Sequence, residues 1–245
     1  MEQYLYREMY EQQNKHWWFV GRTKIILSLI NKYLRNTQKP IKILDIGCGT
    51  GKMLREMSSF GEAYGLDSSE EAISFCKQYC SQKVMKGFLP NENPYRNQVF
   101  DLILALDVLE HIEDDREVIK CIYEMLSDSG YGIITVPAYM FLWSNHDEVH
   151  NHKRRYILTE LKKKLEQAGF EIQKISYFNT FLFLPILLVR MLSKVIGRRN
   201  NSSDLGVSIS RLNFIFEKIF SFERHLLNLF KLPFGVSIIA VVKKR

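Results

Sequence analysis

Three glycines alternate in Leu44-Asp45-Ile46-Gly47-Cys48-Gly49-Thr50-Gly51, where a short apolar strand pattern gives way to a helical one. Glycine at such a junction lets the backbone turn tightly and lie against a ligand, because a side chain would occupy the ligand's space. The dinucleotide fingerprint wants glycines at relative positions one, three and six, and the sixth position from Gly47 is Lys52, so the pattern argues against NAD. At the end of the next strand pattern, Tyr64-Gly65-Leu66-Asp67, the carboxylate of Asp67 is placed to accept hydrogen bonds from both hydroxyls of a ribose. The ligand implied carries a ribose.

Further residues with chemical potential lie downstream. His111 follows the fourth strand pattern, in Leu109-Glu110-His111-Ile112, and is either a base near a second substrate or a structural histidine bonded to its own loop. After the fifth strand pattern, His146, Asp147, His150 and His152 are metal ligands by type, but the spacing H-D-x-x-H-x-H matches no established ligand set and no metal is expected. Cys48 has no base near it in sequence and reads as a small packing residue.

These residues need a frame. Strand patterns over Ile41–Ile46, Ala63–Asp67, Val84–Lys86, Phe100–Leu106, Gly132–Val136 and Phe170–Tyr177 alternate with helical ones, and Ser237–Val242 closes the series. Strands separated by helices predict an α/β protein with a doubly wound, mostly parallel sheet. Ser68 and Glu71 have capping-box spacing for the helix after the second strand. Another helix begins near Thr159 and stops at Gly169. Two parts fall outside the alternation: an N-terminal helical segment, and a stretch from Phe178 to Gly235 read as two helices joined by Gly197–Asp204. One domain over 1–245 is expected, made of a helical lid (1–36), a ligand-binding core (37–177), a helical insertion (178–235) and a last strand (236–245).

The composition fits this frame. A chain of 245 residues that is 46% hydrophobic and 25% charged can bury a full core, which excludes disorder and a disulfide miniprotein. Scattered Cys48, Cys76, Cys80 and Cys121 suggest neither a zinc site nor a disulfide framework, and a reducing cytoplasm is expected. No signal-peptide pattern is visible at the N-terminus. The longest apolar run, Phe181–Val189, is broken by Pro185 and falls short of the ~20 residues of a spanning helix. The net charge of +7 is concentrated late: eight basic residues stand against three acidic ones between Arg190 and Lys231.

The run LDIGCGTG, then GLDSS, FDLILALDVLEHI and GYGIITVP, in that order and spacing, resembles class I S-adenosylmethionine-dependent methyltransferases, in particular the small-molecule branch typified by ubiquinone-biosynthesis enzymes. The likeness spans roughly 41–169. It implies a Rossmann-like sheet of seven strands with the last antiparallel, and S-adenosylmethionine as cofactor with S-adenosylhomocysteine as product. Gly47, Cys48, Gly49 and Gly51 would line the methionine part, with Asp45 supporting the loop. Asp67 would hold the ribose with Ser68 beside it, Gly87, Phe88 and Leu89 would lie along the adenine, and the Leu106 carbonyl would receive the amino group. Many members carry an acidic residue after the third strand for the adenine amino group, where this chain reads KGFLP.

The N-terminal HWWFVGR recurs in this branch, so Trp18 would cover the cofactor and Arg22 meet its carboxylate, or the helix would simply bury its tryptophans. His111 and His146 are the catalytic candidates by the same likeness, and Tyr139, Trp143 and Arg155 the acceptor-side ones. Arg154 and Arg155 could pair with an anionic group of the acceptor or be surface charges. Tyr10 is a further lid candidate. The function implied is methyl transfer to a small or lipid-like acceptor at oxygen, nitrogen or carbon. A nucleic-acid methyltransferase is disfavoured because LDVLEHI replaces the Asn/Asp-Pro-Pro-aromatic motif and no Pro-Cys pair is present, so no nucleic-acid partner is expected; a non-catalytic cofactor-binding module is the remaining alternative. The apolar start and basic end of 178–199 allow either packing over the acceptor site or peripheral contact with the inner face of a membrane.

Overall fold

The structure is a computed structural model and describes residues 3–35, 40–79, 83–196 and 210–245. Its strands are β1 Ile41–Ile46, β2 Gly61–Asp67, β3 Lys83–Lys86, β4 Phe100–Leu106, β5 Leu126–Pro137, β6 Glu171–Phe178 and β7 Ser237–Lys243. Among the described residues these form one sheet in the order β3-β2-β1-β4-β5-β7-β6. Neighbours from β3 to β5 pair in parallel, and β7 runs antiparallel to both β5 and β6. The Rossmann-like sheet with an antiparallel last strand is thus the observed one.

In β4 the run Leu102–Leu106 is apolar without interruption because helices cover both faces of the sheet. In β4, Ile103 and Ala105 enter the core on one side of the sheet while Leu102 and Leu104 enter the core on the other, the period-two alternation of a strand. The helices are α1 Gln3–Gln12, α2 Trp17–Tyr33, α3 Lys52–Met57, α4 Glu70–Tyr79, α5 Asp115–Met125, α6 Asn145–Val149, α7 Leu158–Gln167, α8 Phe183–Ile196 and α9 Ser210–Leu229. α5 and α7 pack Val118, Ile119, Leu161 and Leu165 into one core, and α2 packs Ile25, Ile26, Leu29 and Ile30 into the other. α9 lies on α2, with Trp17 edge-on to Phe216 and Phe220.

Three local expectations are corrected. The N-terminal segment is two helices, divided where His16 caps α2 by accepting the Trp18 N–H at 3.4 Å. The cap of α4 is Ser69 rather than Ser68: the Asp67 carboxylate takes the Ser69 N–H at 2.9 Å, which delays the helix by one residue, and the Ser69 hydroxyl accepts from Ala72 at 3.3 Å. β5 begins six residues earlier than its apolar stretch, at Leu126. α7 ends as expected, with Gly169 in the left-handed region at φ +98. The Gly197–Asp204 connection lies outside the described residues. No helix among the described residues is long and apolar enough to cross a membrane.

Candidate active site

A cavity of about 780 Å3 opens at the carboxyl ends of β1, β2 and β4, where the strand order reverses. Its floor is the glycine loop. Gly47, Gly49 and Gly51 have φ of +69, +52 and +80, and a Cβ on Gly47 would stand 2.6 Å from Val108 Cγ2, so the first turn needs glycine for both reasons. The Leu66 carbonyl accepts the N–H groups of Gly47 and Cys48 at 2.7 and 3.1 Å. Asp67 clamps the loop from the side, one carboxylate oxygen accepting the Gly49 N–H and the other the Ser69 N–H, both at 2.9 Å. Each oxygen retains lone-pair capacity toward the cavity. Burial pushes Asp67 above the usual carboxylate range against these backbone bonds. Asp45, beneath the loop, is pushed up to about 7 by burial, with Arg22 opposing and Asp67 adding to the shift.

Most of the residues singled out in the sequence meet here. Asp45, Gly47, Cys48, Gly49, Asp67, Ser68, Gly87, Phe88, Leu89, Leu106, Trp18, Arg22, His111, His146 and Arg155 all line the cavity. Arg22 stacks on Trp18, 4.2 Å from the ring centroid, and forms an ion pair with Asp107. Gly87 is glycine for a protein reason, since a Cβ there would meet the Glu92 carbonyl at 2.2 Å.

Several placements differ from expectation or decide between alternatives. Gly51 lies behind the lining and serves the turn into α3. Tyr139 and Trp143 do not line the cavity: the chain turns at Tyr139, φ +57, and its ring stacks on Tyr177 at 5.0 Å and Phe141 at 4.9 Å. Arg155 reaches the cavity wall with its charge already committed, donating to Asp147 at 2.8 and 3.0 Å and to the Ala138 carbonyl at 3.0 Å. Arg154 faces outward to Glu113 and Asp115. Tyr10 stacks on Phe75 at 5.1 Å, away from the lining.

Opposite the glycine loop, four histidines share the wall. His146 and His150 have ring centroids 4.2 Å apart, and His111 stands edge-on to His152 at 4.7 Å. Burial holds His111 down to about 3 and His150 to about 4, with His152 and its neighbours adding to the effect, so both are neutral imidazoles. His146 is likewise held well below its ordinary value, first by burial. His152 is distinguished by its partner: Nδ1 lies 2.8 Å from Asp147. Asp147 is held well below the usual carboxylate range by His152 and Arg155 despite its burial, so it is ionised and only accepts. Nδ1 therefore carries a hydrogen and donates it to Asp147, and Nε2 faces Glu110, 4.0 Å away.

Sequence reasoning passed over several lining residues. Glu110 is fully buried, neither carboxyl oxygen has a hydrogen-bond partner among the described residues, and burial together with Asp107 raises it well above its ordinary value. Glu110, His111 and His152 bring one donor atom each within 4.8 Å of one another, a set that could hold a divalent cation. Asn179, just after β6, is 1% exposed with both carboxamide atoms unpartnered among the described residues. Gln13 accepts from Thr50 at 2.9 Å and leaves its Nε2 unpartnered. Leu182, Pro185, Ile186 and Val189 bring one side of α8 to the cavity. The H-D-x-x-H-x-H spacing was a signal for His152; nothing in the sequence marks Asn179 or Gln13.

A protein-family model described as a methyltransferase domain matches residues 19–175. The ubiquinone biosynthesis O-methyltransferase of Glaesserella parasuis is 25% identical over 198 residues, 69% of this chain and 84% of that protein. Its counterpart in Rickettsia canadensis is 22% identical, covering 69% and 83% of the two chains. Among solved structures, a SAM-dependent methyltransferase from Archaeoglobus fulgidus superposes with a TM-score of 0.55 at 21% identity over 90% of this chain and 94% of that one. Magnesium protoporphyrin IX methyltransferase from Synechocystis with bound SAH gives 0.57 at 14% identity over 93% and 85%. The glycine loop, Asp67 and the segments after β4 and β5 thus carried a true likeness, and the chain belongs to the methyltransferase domain family.

Proposed function

We propose that this protein methylates a hydroxyl oxygen of a small, largely apolar acceptor, with His152, oriented by Asp147, as the base. The observation that carries the reading is the ionised Asp147 holding the ring of His152, a cavity-lining residue, at 2.8 Å. S-adenosylmethionine, when bound, supplies an electrophilic methyl group on a sulfonium. The residues present fit it: a glycine turn without side chains, a buried Asp67 with acceptor capacity left, and an aromatic wall at Trp18. In this reading Asp67 and Ser68 hold the ribose, Gly47 to Gly49 lie under the methionine part, and Phe88 and Leu89 flank the base.

On the acceptor side, a hydroxyl is a poor nucleophile until its proton leaves. His152 Nε2 takes that proton, and Asp147 stabilises the imidazolium that forms. Leu182, Ile186 and Val189 exclude water and favour an apolar body, and the Asn179 carboxamide offers a donor and an acceptor to its polar end. The names of the similar curated proteins, O-methyltransferases of ubiquinone biosynthesis, support oxygen as the acceptor atom.

The test is labelled methyl transfer to a panel of phenols and catechols, with calorimetric titration of S-adenosylhomocysteine in parallel. His152→Ala should lose ~100- to 10,000-fold in kcat while binding the product as the wild type does. A product methylated on nitrogen or carbon, or a variant within threefold of the wild-type rate, overturns the reading. Glu110 favours a second one, in which a divalent cation on Glu110, His111 and His152 polarises the hydroxyl. Activity abolished by a chelator and restored by magnesium, manganese or zinc selects it.

A further inference from the structure

We propose that Asn179 is the specificity-determining residue of the acceptor site, taking a second, uncharged polar group of the acceptor (a carboxamide, carbonyl or hydroxyl) set apart from the oxygen that is methylated. This rests on the reading of the cavity as an acceptor site and adds which acceptors it selects. Asn179 lines the cavity together with Pro137, Val236 and Ser237. Its backbone is fixed from two sides. The fully buried Glu223 carboxylate of α9 accepts the N–H groups of Asn179, Thr180 and Phe181 at 2.6, 2.7 and 3.0 Å, and the Asn179 carbonyl accepts the Val236 N–H at 3.3 Å. Bonds to a buried carboxylate are strong ones, so the turn is set before any ligand arrives.

The side chain on that turn is left unmatched. Asn179 has φ +59, in the left-handed region, which glycine adopts without steric cost and without burying a polar side chain. The chain carries a carboxamide there instead, with neither its oxygen nor its nitrogen partnered among the described residues. Burying such a group is unfavourable until something bonds to it, and its place in the cavity lining makes the acceptor that partner. The chemistry of the carboxamide sets the class of the group. It offers two N–H donors and an acceptor oxygen and brings no charge. Arg22 and Arg155 of the lining are paired with Asp107 and Asp147, and Arg190 donates to the Leu142 carbonyl at 2.5 Å. An ion seated on a buried carboxamide would give up its hydration for weaker bonds, whereas a neutral group makes the exchange evenly. An acceptor without that group leaves the carboxamide stranded, which is how a polar site rejects an apolar analogue.

The experiment is calorimetric titration of the full chain, saturated with S-adenosylhomocysteine, with three phenols of like shape: para-hydroxyphenylacetamide, para-hydroxyphenylacetate and para-isobutylphenol, with their meta isomers. Wild type should bind the acetamide about tenfold more tightly than the acetate. Asn179→Gly keeps the left-handed turn and removes the carboxamide; it should bind S-adenosylhomocysteine as the wild type does, which reports that it is folded, weaken the acetamide about tenfold and leave the isobutylphenol within threefold. Asn179→Asp keeps the shape and adds a charge, and should gain affinity for para-hydroxyphenethylamine about tenfold over the wild type, a gain that a damaged fold cannot give. A wild type that binds none of the three phenols, or the acetate as tightly as the acetamide, overturns the proposal. So does a glycine variant that weakens the acetamide less than threefold or the isobutylphenol equally, or an aspartate variant without the gain. The titrations need no turnover, so their failure leaves the proposed oxygen methylation standing, and a methyl group found on nitrogen or carbon leaves the selection by Asn179 standing.

Discussion

Asp147→Asn replaces one oxygen and one charge at the centre of the histidine wall. The carboxylate it removes accepts from Arg155 at 2.8 and 3.0 Å, from His152 at 2.8 Å and from the Ser144 backbone at 2.9 Å, and the Arg155 and Asp147 side chains are 2% and 0% exposed. Breaking a buried ion pair from one side leaves the other charge uncompensated and costs ~3–5 kcal/mol. In a chain of this size that is a fall in Tm of about 6–20 °C. Replacing both partners by apolar residues removes the stranded charge, so Asp147→Leu/Arg155→Met should be more stable than the sum of its two single variants by ~2–3 kcal/mol. Urea unfolding of the four proteins measures this coupling directly. The double variant regains stability without regaining the orientation of His152, and its kcat should remain as low as that of His152→Ala. Coupling below ~0.5 kcal/mol would refute the buried pair as a unit, and a double variant with near-wild-type kcat would refute the orienting role of Asp147.

Two further outcomes are expected elsewhere in the fold. Lys174, on β6, is 6% exposed, and burial beside Lys32 and Lys231 lowers it to about 8 while its Nζ donates to the Phe230 carbonyl at 2.6 Å. The unfolded chain keeps this proton to about 10.5. Between the two values the unfolded state binds more protons, so this group makes stability rise with pH from about 8 to about 10.5. Lys174→Met should flatten that slope and gain ~1 kcal/mol at neutral pH, by urea unfolding across the range; an unchanged slope refutes it. Gly47→Ala should weaken S-adenosylhomocysteine binding at least tenfold, because φ is +69 and the new methyl meets Val108 at 2.6 Å. Adding Val108→Ala should relieve the contact but not the ~1–2 kcal/mol of left-handed strain, so only part of the affinity returns in calorimetry.

The glycine-loop end of the cavity was readable because its constraints are local. Gly47 must turn left-handed within one loop, and Asp67 ends the neighbouring strand, so residue type and spacing reveal them without knowledge of the rest of the fold. The opposite end depends on distant segments. His152 differs from His146 and His150 only in what its Nδ1 touches, and residue type does not show which ring nitrogen carries the hydrogen. Arg155 resembled an anion-binding residue until Asp147 was found to occupy both sides of its fork. Asn179 comes from just after β6, about 130 residues from the glycine loop with which it lines the cavity. The exposure of Leu184 and Leu188 on α8, 62% and 60%, was hidden for a different reason: an apolar helix reads as a buried one, and only packing shows which of its sides is left uncovered.

The strand order has a consequence in time. β6 hydrogen-bonds β7, whereas β1, β2 and β4 complete their mutual pairing by Leu106. On a ribosome, the cofactor half of the sheet can therefore form while the remainder is still being made. β6 must wait, with α8 and α9 synthesised in between, until Ser237–Lys243 emerges to slide between it and β5. During that interval the hydrocarbon side of α8 and an unpaired edge of β5 are exposed together. Molecules caught there are the ones a chaperone must shield, and a stop shortly before Ser237 would leave β5 and β6 without the strand that joins them.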